Sequence, residues 1–79
     1  MSQLRLVATC TRISESVRWA PVIECRISDR IERFSVVGEA FMKESSALLS
    51  ASQHISMLKT TGLRPWSQPE SYQPMQVHS

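Results

Sequence analysis

The chain has 79 residues, a formal net charge of +2, 42% hydrophobic residues and 6% aromatic residues. Its length excludes barrel enzymes, which need about 200 residues or more, and its composition excludes collagen-like chains and disulfide-rich scaffolds. So small a net charge does not by itself indicate a nucleic-acid-binding protein. One small domain remains, and such a domain usually needs a disulfide, a metal or a second subunit for stability.

Neither a disulfide nor a metal site is predicted. Cys10 and Cys25 are the two cysteines, and no secretory signal precedes them, so we expect free thiols in a reducing, cytoplasmic setting. His54 and His78 lack the spacing of zinc ligands. We expect no cofactor, and no apolar run is long enough to predict a membrane span. The sequence therefore favours a second subunit as the stabilising element.

Two segments with apolar residues at every second position, 4–13 and 17–27, predict a β-hairpin over about residues 4–27. In the expected register, the numbers of opposite residues add up to 31. This register puts the apolar residues of both segments on one face. A shift by one residue would bring Arg5 onto that face.

The next segment, within about residues 29–60, predicts one long amphipathic helix. Asp29 followed by Glu32 matches a capping box at its start, and Gly62 suits the C-cap. Between them, apolar and small residues repeat at spacings of three and four, as on one face of a helix. The predicted fold class is therefore α+β, with an N-terminal hairpin, one long helix and a flexible tail.

Two alternatives stay open for this middle region. Pro21 also suits the first turn of a helix, which would make the chain all-α, with two helices or one broken long helix. Alternatively, a short third strand lies at 33–37 and the helix begins near Gly38. Periodicity alone does not decide between strand and helix for short apolar runs.

Residues 64–79 change in character, with three prolines among glutamines and serines and no apolar period. This composition predicts a disordered tail, so residues 1–63 form the predicted small α+β domain. Trp66 and Tyr72 are the candidate ligand residues if the tail is recognised as a linear peptide.

No pattern in the sequence indicates an enzyme. The two glycines stand alone, so no phosphate-binding loop is present, and none of the 13 serines has the context of a nucleophile. We expect a non-catalytic regulatory or adaptor protein that acts through protein–protein contacts. An unpaired hairpin edge favours pairing with a second copy, so a homo-oligomer, most simply a homodimer, is predicted.

Two sets of residues are candidates for binding. The stripe of the predicted helix is the candidate protein-binding surface, and it contains Phe34, Val37, Gly38, Phe41, Leu48 and Ile55. The alternative function is a small nucleic-acid-binding regulator with arginines around the hairpin. The arginines of that alternative are Arg5, Arg12, Arg18, Arg26 and Arg30.

Overall fold

The structure is a computed structural model that describes residues 3–75. Its elements are β1 (Leu4–Arg12), β2 (Trp19–Ile27), β3 (Arg30–Val36), α1 (Glu44–Thr61), a 3-10 turn (Pro65–Ser67) and β4 (Tyr72–Pro74). The strands form one antiparallel sheet in the order β1-β2-β3-β4, and α1 packs over β1 and β2. The predicted α+β class with an N-terminal hairpin is confirmed.

The hairpin has the register that the sequence predicts. Leu4 lies opposite Ile27 and Arg12 lies opposite Trp19, so every pair of opposite residues has numbers that add up to 31. Side chains alternate between the two faces of a strand. Even-numbered residues of β1 and odd-numbered residues of β2 therefore share the face that α1 covers.

The prediction of a helix from Asp29 is wrong, and the structure has the third strand of the alternative, although the helix begins at Glu44 and not near Gly38. A tight turn follows β2, with Ser28 in the left-handed region at φ 54°, and the chain returns as β3. Phe34 and Val36 are buried on the face that α1 covers, which is the period of a strand. The apparent helical spacing arises because the apolar residues of β3 and of α1 fall at compatible intervals along the chain.

Pro21 ends the pairing between β2 and β3. Trp19 exchanges backbone hydrogen bonds with Phe41, so the odd-numbered residues of β2 point their peptide groups towards β3. Pro21 is one of them and has no N–H to donate. The last regular pair is accordingly Val22 with Ser35, after which the chain leaves β2 and turns at Gly38, whose φ is 82°.

The helix is shorter than predicted and begins at Glu44. Its N-cap, Lys43, makes no side-chain capping bond. Its end is the predicted one, because Gly62 adopts φ 75° and donates its N–H to the carbonyl of Leu58 at 2.9 Å. The residues that α1 buries include three small ones, which let the helix approach the sheet closely; the full set is Ala47, Ser50, Ala51, Ile55 and Leu58.

The described part of the predicted tail belongs to the fold. Pro65 is buried, Tyr72 is 2% exposed, and the N–H of Met75 bonds the carbonyl of Arg33 at 2.8 Å. The structure thus differs from the predicted disorder over residues 64–75, because this segment supplies a side chain that completes the core. The rest of the predicted tail, 76–79, lies outside the described residues.

The core lies between α1 and the sheet and draws on all four strands. Its buried members are Ile23, Cys25, Phe34, Val36, Ile55, Leu58 and Tyr72, with Leu4, Leu6 and Ala8 packed at its border. In the part of the chain that the structure describes, no helix combines the length and the apolar character needed to cross a bilayer.

Candidate functional site

The outer edge of β1 is the longest unpaired backbone edge of the sheet. The N–H of Ile13 donates to the carbonyl of Arg18 at 2.9 Å, which continues the ladder between β1 and β2. Ladder bonds alternate along a strand. The N–H and C=O groups of the odd-numbered residues of β1 therefore bond to β2, and those of the even-numbered residues point away from the sheet, in its plane. The outward residues are Leu4, Leu6, Ala8, Cys10 and Arg12, and no strand among residues 3–75 pairs with them.

Several features that usually prevent strand addition are absent from this edge, and its two charged residues, Arg5 and Arg12, lie near its ends. β1 has nine residues in unbroken register, with no proline, no lysine and no bulge. The opposite edge is β4, which has only three residues and ends in Pro74. The β1 edge is therefore where the sheet can be extended.

One flank of α1 lies beside the β1 edge. The Cys10 thiol is 3.8 Å from the Glu44 carboxylate, so the start of the helix lies over the end of β1. With 3.6 residues per turn, Leu48 and Ser52 follow Glu44 along the same flank. Leu48 is 38% exposed, and we call the edge together with this flank the β1 surface.

A partly buried polar network lies on the other flank of α1. The Nε2 atom of His54 is 2.9 Å from the Glu39 carboxylate, and its Nδ1 atom is 2.9 Å from the Tyr72 hydroxyl. The Ser50 hydroxyl donates to the second oxygen of Glu39. The network therefore joins the loop after β3, the helix and β4.

The burial and hydrogen bonds of this network indicate a role in stabilising the fold. Burial raises the pKa of Tyr72, and the nearby charge of Glu39 raises it further. Burial opposes the ionisation of Glu39, but the hydrogen bonds from Ser50 and His54 outweigh it and hold the Glu39 pKa below its ordinary value. Tyr72 is 2% exposed, so its hydroxyl has no access to a substrate.

Charged side chains cluster on the face of the sheet that is turned away from α1, which we call the outer face. Glu24 is 6% exposed there and accepts hydrogen bonds from Nε of Arg26 at 2.7 Å and from Nε of Arg33 at 3.0 Å. These two bonds, the stronger from Arg26, lower the pKa of Glu24 against the effect of burial. Arg5 lies directly opposite Arg26 on the same face.

Both cysteines are free thiols of low reactivity. Cys25 is fully buried, and its burial, with the charge of Glu32, raises its pKa to about 11. Burial and the Glu44 carboxylate also raise the pKa of Cys10. Within residues 3–75, the His, Cys, Asp and Glu side chains form no group that could hold a metal ion.

The predicted helix stripe does not form one surface. Two of its members are core residues on different elements, Phe34 on β3 and Ile55 on α1. Val37 and Gly38 lie in the loop after β3, and Phe41 pairs with Trp19 beside β2. Of the six residues, Leu48 alone belongs to the β1 surface.

The two tail candidates have different environments. Trp66 is 47% exposed and its ring centroid is 6.3 Å from that of Phe34. Tyr72 is buried and bonded to His54, so it is not displayed for recognition as part of a linear peptide.

The structure also separates the five arginines of the alternative function. Arg5 and Arg26 are opposite each other on the outer face. Arg12 and Arg30 occupy positions on the other face of the sheet, and Arg18 lies in the loop before β2. The five do not form one hairpin surface.

Sequence reasoning missed the residues that organise both polar clusters. Glu39 and His54 are 15 positions apart, and no spacing rule connects a loop residue with a helix residue at that distance. Arg33 had a detectable signal: once residues 30–36 are a strand, the alternation of Phe34 and Val36 sends Arg33 to the outer face.

Comparison of the chain with protein-family models, with curated proteins and with solved structures finds no significant match.

Proposed function

We propose that this protein is a non-catalytic regulatory or adaptor protein that acts through protein–protein contacts and works as a homodimer. The observation that carries the proposal is the nine-residue edge of β1, which no strand among residues 3–75 pairs with. Two copies joined along this edge form one antiparallel sheet of eight strands and leave no long edge exposed.

The sequence of β1 favours one register for this pairing. A two-fold axis at Ala8 puts Ala8 opposite itself and Leu6 opposite Cys10 of the second copy, and all of these residues point their peptide groups outward. Each such pair exchanges two hydrogen bonds. An axis at Val7 or Thr9 would pair only seven of the nine residues of β1, so the axis at Ala8 gives the longest ladder.

The position of α1 also fits this dimer. Two antiparallel strands of one continuous sheet are related by an axis perpendicular to it, so both helices lie on the same side. Since α1 lies over β1 and β2, strands about 4.8 Å apart place the two helix axes about 10 Å apart. Packed helices are about 8–10 Å apart, so Leu48 and Ser52 come to lie between the two helices.

Proline substitution tests the proposal. Ala8→Pro removes one outward N–H without removing a bond to β2, whereas the control Ala8→Ser keeps that N–H. In sedimentation velocity at tens of micromolar, the unmodified chain and Ala8→Ser are expected at twice the 9.0 kDa chain mass, and Ala8→Pro at the chain mass. A single 9.0 kDa species for the unmodified chain would contradict the proposal.

Cross-linking tests the register separately. In a Cys10→Ser background, Ala8→Cys places two thiols opposite each other across the axis. Their Cα atoms are about 5.5 Å apart, within the range of a disulfide. Mild oxidation should give a covalent dimer. The control Leu4→Cys lies far from its own symmetry mate and should stay monomeric, while cross-linking of Leu4→Cys alone would show a different register.

The cytoplasm is the compartment that we propose for this dimer. Cys10 and Cys25 are both free thiols, which fits a reducing environment. Cys10 lies on the β1 surface, so a reducing compartment also keeps the edge from being blocked by oxidation of this thiol.

A further inference from the structure

Two arginines lie directly opposite each other on the outer face of the sheet. Arg5 of β1 and Arg26 of β2 form a register pair, and the ladder pattern makes it a hydrogen-bonded one, with Cα atoms about 5.5 Å apart. Like charges in this position are destabilising. Among residues 3–75, no carboxylate forms an ion pair with Arg5. A bound anion would relieve this repulsion.

A third arginine is oriented towards the same surface by Glu24. The Glu24 carboxylate accepts hydrogen bonds from Nε of Arg26 and Nε of Arg33, one at each oxygen. The side chains of these arginines are 50% and 47% exposed, and their hydrogen bonds within the described residues use Nε. The terminal nitrogens of both guanidinium groups therefore remain available to a ligand, in positions that a buried carboxylate fixes.

The strand residues of the outer face carry no exposed negative charge, and the exposed Asp29 lies in the turn between β2 and β3. Glu24 is the one acid on the strands of the outer face, and it is buried. Apart from Glu24 and the three arginines, the polar residues that the strands place on the outer face are uncharged. They are Thr9, Thr11, Ser35 and Gln73. Glu32 on β3 and Glu44 on α1 lie on the opposite side. The outer face thus carries three arginines and one buried acid, although the net charge of the chain is small.

We propose that the outer face binds the phosphate backbone of single-stranded nucleic acid through Arg5, Arg26 and Arg33. The three residues lie on adjacent strands, and diagonal neighbours such as Arg26 and Arg33 are about 7–8 Å apart. A row of cations across three strands suits an extended polyanion better than one small anion. Phe34 and Tyr72 lie on the opposite face, so no base stacks on them and binding is independent of sequence.

The first test compares arginines on the two faces. Fluorescence anisotropy measures binding of the full chain to a labelled oligothymidylate of about 20 nucleotides, a length that exceeds the usual site size. Arg26→Gln and Arg33→Gln should each weaken binding several-fold. The controls Arg12→Gln and Arg30→Gln make the same change of net charge on the other face, and they should bind like the unmodified chain. Equal losses for all four variants would overturn the proposal.

The salt dependence gives the number of contacts. Each phosphate contact to a single strand contributes about −0.7 to the slope of log K against log salt concentration, so three contacts predict a slope of about −2. Arg26→Gln should reduce its magnitude by about 0.7. A slope near zero, or one that Arg26→Gln leaves unchanged, would contradict the proposal.

Glu24→Gln distinguishes binding by arginines that Glu24 positions from nonspecific electrostatic attraction to the outer face. This substitution removes one negative charge from the face, so general electrostatic attraction would tighten binding. If Glu24 positions Arg26 and Arg33, binding instead weakens, and this is the expected result. Thermal unfolding shows whether Glu24→Gln folds. If it does not fold, Arg26→Gln and Arg33→Gln still test the proposal.

Competition identifies the source of the phosphate. Inorganic pyrophosphate at millimolar concentration should leave most of the oligonucleotide bound, because it cannot contact all three arginines at once. Complete displacement by pyrophosphate would assign the face to a small phosphorylated molecule and overturn the nucleic-acid proposal.

Discussion

The Nδ1 atom of His54 lies 2.9 Å from the hydroxyl oxygen of Tyr72, and the two rings meet edge to face. On its other side, the ring lies 2.9 Å from the Glu39 carboxylate. In the neutral ring, Nε2–H donates to Glu39 and the Tyr72 hydroxyl donates to Nδ1. One histidine on α1 thereby connects the last strand with the loop that follows β3.

We expect Tyr72→Phe to lower the free energy of unfolding by about 1–2 kcal/mol, because it leaves Nδ1 of His54 without its partner while keeping the ring in the core. Urea denaturation followed by circular dichroism measures the change. Thr60→Val is the matched control, since it removes an exposed hydroxyl that bonds only within α1. The control should stay within about 0.5 kcal/mol of the unmodified chain, and an equal effect of both substitutions would refute a role of the network in stability.

Acid should destabilise the fold through two carboxylates. The pKa of Glu24 is lowered by its bonds to Arg26 and Arg33, and that of Glu39 is lowered by its bonds to Ser50 and His54 against burial. A lowered native pKa means that the stabilisation is present above the ordinary carboxyl pKa and is lost as the pH falls through the native value.

The measurement is the free energy of unfolding between about pH 5 and pH 2. Glu24→Gln and Glu39→Gln should each flatten this pH profile, since each removes one titrating group. Glu70→Gln is the control, because Glu70 is exposed and makes no ion pair within the described residues. A profile that changes as much in Glu70→Gln as in the other two would rule out this assignment.

The two thiols should differ in their reaction with iodoacetamide. The thiolate is the reactive form, and Cys25 combines full burial with a pKa of about 11. At about pH 8, we expect slow labelling of Cys10 and labelling of Cys25 only after unfolding in urea. Glu44→Gln should speed the reaction of Cys10, because the Glu44 charge contributes to its raised pKa.

Mass spectrometry of the labelled protein locates the modification. A Cys10→Ala chain should remain unlabelled while it is folded, which controls for the assignment. Fast labelling of Cys25 in this variant under native conditions would mean that the core opens readily. Since Cys10 points to the β1 edge, raising the protein concentration should also slow its labelling if the dimer forms.

A chain cut after Leu63 should lose most of its stability. The cut removes Tyr72, which is 2% exposed, and Pro65, which is buried. It also uncovers Phe34, which lies near Trp66 and pairs with Pro74. Loss of a large buried aromatic side chain alone costs about 3–5 kcal/mol. Circular dichroism and thermal unfolding should show a molten or unfolded chain, whereas a cut after Met75 should keep a cooperative transition.

The hairpin and the end of the helix could be predicted because local rules determine them. Alternation of apolar residues excludes a register between β1 and β2 shifted by one residue, which would bring Arg5 onto the core face, and the predicted register is found. Gly62 at φ 75° is likewise a local requirement of the helix end. Both signals lie within a few residues of the structure that they specify.

The sequence left the middle of the chain open between strand and helix and did not predict the fold of its end, for a physical reason. The aspartate and glutamate of a capping box fit a turn and a strand equally well, so Asp29 and Glu32 did not decide between them. β4 has three residues, too few for a detectable period, and its place in the sheet depends on Tyr72 reaching His54. The two polar clusters were also not predictable from local sequence, because residues from distant segments form them.

The pairing of β3 with β4 has a consequence for how the chain folds. Ser35 and Gln73 are 38 positions apart, whereas β1, β2 and β3 are joined by short turns. Closing the longer loop costs more chain entropy, and its contacts add stability only once α1 is in place. We expect the three-stranded meander to form early and β4 to dock late. The amide proton of Val37, which bonds the carbonyl of Ser71 just before β4, should therefore exchange with solvent before those between β1 and β2.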